Sequence, residues 1–316
     1  MFINEFKEHE KIRGTYLINR ALKGKTNKGD DYISLQLQDK SGMIDAKLWQ
    51  ATPEQLATLI DGVFINVVAN VISYKDTLQL KVESVQTVAK DMVDIDNFVM
   101  DAPETSISLR AELQEYIYEI ADKKVNYIVT KMVAEYNDNL NIYPAASRIH
   151  HAFKTGLLYH LVSMLRIGQQ LLRLYPQLNK SYLYAGIIIH DLGKIEELSG
   201  VVATTYTKRG RLVGHISIIH AKLMAIAKEL NIQDSEQVMI LEHIILSHHG
   251  KYEFGSPVLP QTLEAEILTF IDNIDAKTNA ISNALNNVKE GEFTTRIFAL
   301  DNRCFYKPIT KESNDE

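Results

Sequence analysis

Ile187-Ile-Ile-His190-Asp191-Leu-Gly-Lys194 sets an imidazole and a carboxylate directly behind three β-branched apolar residues. Such groups are costly to bury unless something compensates them, and metal coordination is an effective compensation. The same juxtaposition recurs on both sides of this stretch. His160 falls in Gly156-Leu-Leu-Tyr-His-Leu-Val-Ser-Met164, and His215 in Gly214-His-Ile-Ser-Ile218. His248-His249 end the run Ile244-Ile-Leu-Ser247, and Asp272 lies in Ile267-Leu-Thr-Phe-Ile-Asp-Asn-Ile-Asp275. Any one of these histidines alone reads as a satisfied core residue. The ordered set, His, His-Asp, His, His-His, Asp, is hard to obtain from unrelated core positions and points to a metal centre. Nitrogen and oxygen donors without thiolate suit Mn²⁺, Fe²⁺, Zn²⁺ or Mg²⁺.

These residues sit in a half of the chain that reads as helical throughout. Leu109, Leu113, Tyr116, Ile117 and Ile120 repeat at helical spacing from about Ser106, behind the capping pattern Ser108-Leu-Arg-Ala-Glu112. A long helix is expected from Phe153 to Tyr175, stopped by Pro176, with further helices at 181–197, 214–230, 234–249 and 261–285. Gly250 follows the segment 234–249 as a C-terminal cap would.

The first ninety residues have a different period. Tyr32-Ile-Ser-Leu-Gln-Leu-Gln38 alternates apolar and polar residues, Asp39-Lys-Ser-Gly42 is a turn signal, and Met43–Trp49 resumes extended structure. Gly14–Lys23 supplies an earlier strand, Pro53–Leu59 a short helix, and Val63–Tyr74 and Leu78–Ala89 two more strands around Lys75-Asp76. Five strands with a helix between the third and fourth is the order of an OB-fold barrel. The alternation puts Ile33, Leu35, Leu37, Ile44, Ala46 and Leu48 inside and Tyr32, Ser34, Gln36, Lys47 and Trp49 outside. An outward aromatic beside a lysine suits base stacking with phosphate attraction. Trp49 could equally pack against the second domain, and the sequence does not separate the two readings.

The net charge of −6 argues against a nucleic-acid partner only until its distribution is seen. Residues 1–90 carry 12 Lys/Arg against 11 Asp/Glu, whereas 91–104 hold five acids and no base. A local basic groove therefore remains open to the chain. The hydrophobic content of 46% is enough to build a core without disulfides, and the single cysteine, Cys304, fits a reducing cytoplasm. No apolar run reaches the length of a membrane span, and the start lacks a signal-peptide core. A cytoplasmic protein without a membrane partner is expected, and a homo-oligomer is compatible with this reading but not demanded by it.

The order His160, His190-Asp191, Asp272 resembles the HD superfamily of metal-dependent phosphohydrolases, and His215, His248 and His249 resemble its binuclear members. HHAFKTGLLYHLVSML, YAGIIIHDLGKIEELSG, GHISI, LSHHGKYEFGSP and AEILTFIDNIDAK, behind an OB-like domain, look like the YhaM-type bacterial 3′→5′ exoribonucleases from about Gly14 to Lys307. The resemblance implies two domains: an OB-fold nucleic-acid-binding domain over 1–90 and a helical HD domain over 106–309. An acidic linker over 91–105 would join them, and 310–316 would be a frayed tail. It implies a hydrolase that removes nucleoside 5′-monophosphates from the 3′ end of single-stranded RNA, and of single-stranded DNA as a second substrate. It also implies two divalent ions, Mn²⁺ foremost.

By motif position, His160, His190, Asp191 and Asp272 would hold the first ion, and His215, His248 and His249 the second, with Asp191 bridging. Adjacent residues diverge by ~100° on a helix, so His190 and Asp191 share a centre only if it lies between their directions or at a helix end. Two bridged ions can stabilise both the attacking and the leaving oxygen of an in-line phosphoryl displacement. Asp272 and Asp275 both border the same apolar stripe; the family pattern favours Asp272, leaving Asp275 to orient an imidazole. Lys194, four residues after His190, is expected on the same helix face, as a catalytic group that stabilises charge on the phosphate. Lys208, Arg209 and Arg211 form a basic loop suited to downstream phosphates, and His150 and His151 are candidates for the substrate end. His220 and His243 read as structural and His9 as a surface residue.

Two rival readings stay in view. One is a phosphodiesterase for a small nucleotide or cyclic dinucleotide. Its family carries Gly-Tyr-Pro after the paired histidines, where this chain has Gly250-Lys-Tyr-Glu-Phe-Gly-Ser-Pro257. The other is a non-catalytic nucleic-acid-binding protein, which the full set of seven ligand positions disfavours.

Overall fold

A computed structural model describes every residue except 75–76, 147–152, 203 and 311–316. The turn expected at Lys75-Asp76 and all but the first residue of the tail at 310–316 thus lie outside the described residues. The chain forms two compact units: Met1–Asp101 with Ser199–Thr205, and Ala102–Leu198 with Tyr206–Glu316.

The first unit is a closed five-stranded barrel of β1 (Lys11–Lys25), β2 (Asp31–Asp39), β3 (Gly42–Trp49), β4 (Phe64–Tyr74) and β5 (Thr77–Val88). Its order is β1-β2-β3-β5-β4, with β1 closing on β4. All pairings are antiparallel except β3 with β5. The expected alternation holds: Ile33, Leu35, Leu37, Ile44, Ala46 and Leu48 are all buried in the barrel core. Helix α1 (Pro53–Thr58) bridges β3 and β4. It starts where the sequence places it because Thr52 and Gln55 exchange side-chain and backbone hydrogen bonds in a capping box, with Pro53 at the first helical position.

The unit boundary at Asp101 falls inside the stretch 91–105 read as a linker. Much of that stretch is anchored to the barrel. Phe98 stacks edge-on against Phe64 with ring centroids 5.0 Å apart, and its carbonyl accepts a hydrogen bond from Gln38 Nε2 at 3.0 Å. The acids decorate a segment held by its apolar residues.

The second unit contains α2 (Ser106–Tyr118), α3 (Lys123–Glu135), α4 (Asn137–Leu140), α5 (Gly156–Leu174), α6 (Lys180–Ile189), α7 (Lys194–Glu197), α8 (Lys208–Glu229), α9 (Glu236–Ser247) and α10 (Leu263–Asn286). The side chain that caps α2 is Thr105, one turn ahead of the expected motif. Helix α6 is buried from Leu183 to Ile189 without an exposed face, as expected of a helix that is apolar all round. The single helix expected over 181–197 is two, because the chain turns at His190–Gly193 before α7. Helix α8 begins at Lys208, capped by Thr207, and kinks at Gly214, where φ is +75°. Beyond α10 the chain turns back on itself through antiparallel bridges Phe293–Tyr306 and Ile297–Arg303, which the helical reading of 106–309 lacked. Among the described residues, no helix is long and apolar enough to cross a membrane.

Candidate metal centre

The break after α6 positions the central pair. His190 caps the helix, its N–H bonded to Gly186 O, and the next turn tightens through Leu192 N–H to Ile189 O and Lys194 N–H to Asp191 O. His190 and Asp191 therefore stand at a helix end, where adjacent side chains can face one centre. Gly193 makes the turn fit its neighbour: a Cβ there would lie 2.4 Å from His215 O. Only glycine lets α8 bring His215 this close.

His160 from α5, His190 from the end of α6 and Asp272 from α10 form one trio; His215 from α8 and His248 and His249 from the end of α9 form another. Within each trio the ligand atoms lie within 4.8 Å of one another. Asp191 spans the two. Its Oδ2 is 3.3 Å from His190 Nε2 and 3.6 Å from His160 Nε2, and its Oδ1 is 3.5 Å from His215 Nε2 and 3.8 Å from His248 Nε2. One oxygen faces each trio.

The other imidazole nitrogens are all engaged. His190, His248 and His249 set Nδ1 against the carbonyls of Ile187, Ile245 and Phe254 at 2.9, 2.7 and 2.6 Å. His160 Nδ1 meets Asp275 Oδ2 at 2.7 Å, and His215 Nδ1 meets Glu197 Oε1 at 3.0 Å. Each ring thus turns Nε2 inward with the proton assignable to Nδ1. The choice between Asp272 and Asp275 is sorted by geometry: Asp272 Oδ1 lies 3.4 Å from His160 Nε2, while Asp275 takes the opposite nitrogen.

Nε2 of His190, His215 and His248 and Oδ1 of Asp191 are buried and lack a hydrogen-bond partner. Leaving such an atom unsatisfied costs on the order of 1–3 kcal/mol. Four in one small volume is the pattern of a ligand set, and its donors fit divalent ions. Electrostatics agrees. Burial pushes the Asp191 carboxyl up, yet Lys194, His190 and His215 together hold it well below the usual range. Burial, reinforced by neighbouring imidazoles, drives His248 well below and His249 below the ordinary imidazole value, which keeps both rings neutral and able to donate a lone pair.

Lys194 does reach the site, though by another route. With the helix interrupted it does not share a face with His190; instead Nζ donates to Asp191 Oδ2 at 2.6 Å. Burial lowers its ammonium, but the carboxylates of Asp191 and Asp272 more than offset this and raise it. Lys208, Arg209 and Arg211 stand exposed in the first turn of α8, with Arg209 paired to Glu196 at 3.4 Å. His150 and His151 lie outside the described residues. His220 pairs with Glu242 at 2.8 Å, and His243 Nε2 accepts the N–H of Gln261, as structural histidines would. Glu197 is the residue the sequence reading missed. Beside Glu196 it looks like a solvated acid; only its place between Ile195 and Leu198, both buried, hints otherwise.

On the barrel, Tyr32 and Trp49 are cross-strand partners with ring centroids 5.2 Å apart. Lys47 Nζ lies 5.1 Å from the Tyr32 ring centroid and donates to Ser34 Oγ at 2.7 Å. Trp49 is 46% exposed.

Comparison with known proteins covers both halves. The HD domain family matches residues 157–277, which span every residue of both trios. A 3′-5′ exoribonuclease YhaM from Oceanobacillus iheyensis is 45% identical over 305 residues, 96% of each chain. The protein of the same name from Shouchella clausii is 46% identical over 307 residues, covering 97% of this chain and 96% of that one. That from Bacillus subtilis is 45% identical over 300 residues, 95% of each. Among solved structures, a domain of replication protein A from Methanococcus maripaludis is 22% identical and covers 28% of this chain and 96% of that one, with a TM-score of 0.24. The sequence identity, sustained over nearly the full length of chains that carry the same name, makes this chain a member of the YhaM family of 3′-5′ exoribonucleases.

Proposed function

We propose that the chain is a metal-dependent hydrolase that removes nucleoside 5′-monophosphates from the 3′ end of single-stranded RNA, with single-stranded DNA as a second substrate, in the cytoplasm. The observation that carries this reading is Asp191, whose two oxygens each face a different trio of ligand atoms. His160, His190 and Asp272 would hold one divalent ion and His215, His248 and His249 a second, with Asp191 between them. Mn²⁺ is the foremost choice by the family resemblance, and a donor set of imidazole and carboxylate without thiolate suits it, as it suits Fe²⁺, Zn²⁺ or Mg²⁺. Such ions supply Lewis acidity toward the scissile phosphate and a nucleophile near neutral pH.

The chain's own residues do the rest. Asp275 and Glu197 orient the rings of His160 and His215. Lys194, anchored on Asp191, provides a cation for the charge that develops on the phosphate. The basic side chains Lys208, Arg209 and Arg211 suit downstream phosphates. Tyr32, Lys47 and Trp49 form a stacking face with a cation beside it, which supports the barrel, residues 1–90, as the part that grips the strand.

The test uses end-labelled RNA and DNA oligomers of one sequence, with Mn²⁺ added after chelation and metal content measured in parallel. Mononucleotides released stepwise from the 3′ end, only with metal, are expected. Equal activity in the chelated protein, or cleavage of cyclic dinucleotides alone, would overturn the reading.

A further inference from the structure

Each trio contains a single imidazole backed by a carboxylate rather than a backbone carbonyl: His160 by Asp275 and His215 by Glu197. The two supports are built differently. Asp275 lies one turn from Asp272 on α10, so ligand and support share one helix. Glu197 is the last residue of α7, an element that supplies no ligand to the trio it supports.

Its grip on His215 is double. Oε1 and Oε2 lie 3.0 and 3.1 Å from His215 Nδ1, and Oε1 also accepts the His215 backbone N–H at 3.0 Å. That N–H follows the kink at Gly214, where the helix cannot supply a regular partner. The backbone of Glu197 is held to α8 as well. Its carbonyl accepts Thr207 N–H at 2.8 Å, and a Cβ on Gly210 would lie 2.3 Å from that oxygen. Glu197 thus fixes the ring, the tautomer and the backbone of one ligand from outside the ligand set.

We infer that Glu197 is the positioning residue that sets how tightly the His215-His248-His249 position holds its ion, and so whether the protein carries two ions or one at limiting metal. The inference rests on the two-ion reading proposed above. A carboxylate can only accept from His215 Nδ1, whereas the amide of a Glu197→Gln variant can also donate to it, so the tautomer with its proton on Nε2, useless as a metal ligand, becomes accessible. His248 and His249 keep their backbone acceptors, so the position is weakened rather than erased. His160, His190 and Asp272 are untouched.

The experiment measures Mn²⁺ binding to the full-length protein by equilibrium dialysis with elemental analysis, and by the electron-paramagnetic-resonance signal that separates a coupled Mn²⁺ pair from a lone ion. Wild type is expected to bind two ions and show the coupled signal. Glu197→Gln, close in shape and without the charge, should bind one ion as wild type does and the other about 10–100-fold more weakly, with the coupled signal lost at limiting metal. Glu197→Asp should recover part of the difference. Circular dichroism of Glu197→Gln checks that the helices are intact; should that variant misfold, Glu197→Asp carries the measurement, with a smaller loss at the same position. Two ions with unchanged affinities in a folded variant would overturn the role of Glu197 alone. A single ion in the wild type would overturn the two-ion reading, and this inference with it.

Discussion

The helical unit hides the atoms that matter, whereas the barrel displays them. Around Asp191, buried nitrogens and an oxygen point at one another with no protein partner, a state that only a ligand relieves. Around Trp49, by contrast, no buried side-chain polar atom among the described residues of the barrel lacks a partner. The difference is instructive. A buried set of converging donors is itself evidence of a bound group, because the fold would otherwise carry an uncompensated cost. An exposed aromatic with a neighbouring lysine shows only that binding is cheap there.

The contrast is broken first at its centre. Asp191→Ala removes the one carboxylate that faces both trios, and turnover should fall by about 10³-fold or more, comparable with the loss of a principal electrostatic group. Affinity for single-stranded RNA, measured on the same preparation by fluorescence anisotropy, should stay near the wild-type value because the barrel is unaltered. Turnover retained in the variant would remove the bridging role.

Chelation offers the next largest effect, and it separates the halves physically. Trp49 is the chain's single tryptophan and lies in the barrel, while the helices dominate the circular dichroism signal near 222 nm. Each ion at about 100 times its dissociation constant should add roughly 2.7 kcal/mol to the stability of the unit that binds it. Metal removal should therefore shift the helical melt downward and leave the tryptophan melt in place. Equal shifts in both signals would mean that the metal does not belong to the helical unit alone.

Much of this contrast is legible in the sequence. Period-two alternation places Ile33, Leu35 and Leu37 inside the barrel because strand geometry admits no other choice once one face is buried. The candidate ligands stand out because histidine and aspartate interrupt apolar runs. What is not legible depends on contacts far along the chain. Nothing local in Ile187-Ile-Ile-His190 announces a helix end; the turn exists because Gly193 accepts the backbone of His215, 22 residues on. Four-residue spacing puts Lys194 on the wrong face for the same reason. Glu197 is invisible without α8, and the start of α8 at Lys208 depends on the hydroxyl of Thr207, which no periodicity reports. Helix α3 has local signals that the reading passes over: Asp122 caps its start by accepting the N–H groups of Lys124 and Val125, and Val125, Ile128, Val129, Met132 and Val133 all bury one stripe.

On the barrel the expected effect is smaller and confined to binding. Trp49→Ala should weaken affinity for single-stranded RNA by about 1–3 kcal/mol, the range of one base stacked on an aromatic side chain, with the rate at saturating substrate unchanged. Tyr32→Ala should act in the same direction, since the two rings adjoin. An unchanged affinity in both variants would leave Trp49 with a packing role.

The smallest effect belongs to a polar cluster that is neither hidden nor idle. Arg166 on α5 donates through Nη1 and Nη2 to both oxygens of Glu104, at 2.7 and 2.8 Å, and through Nε and Nη2 to Glu112, at 2.9 and 2.6 Å. With all three guanidinium nitrogens engaged but the group partly exposed, the cluster should contribute only about 0.2–1 kcal/mol. Its pH dependence has a definite sign. The hydrogen bonds from Arg166 hold the Glu104 carboxyl below its ordinary value despite some desolvation. A carboxyl depressed in the folded state stabilises the fold fully above its unfolded value, and the contribution fades as pH falls through the folded one. Urea melts of wild type and Arg166→Met, followed at 222 nm, should differ at neutral pH and converge as the pH drops below the usual glutamate range. A gap that stays constant across that range would mean that Arg166 acts through the packing of its aliphatic stem, and that its charge adds nothing.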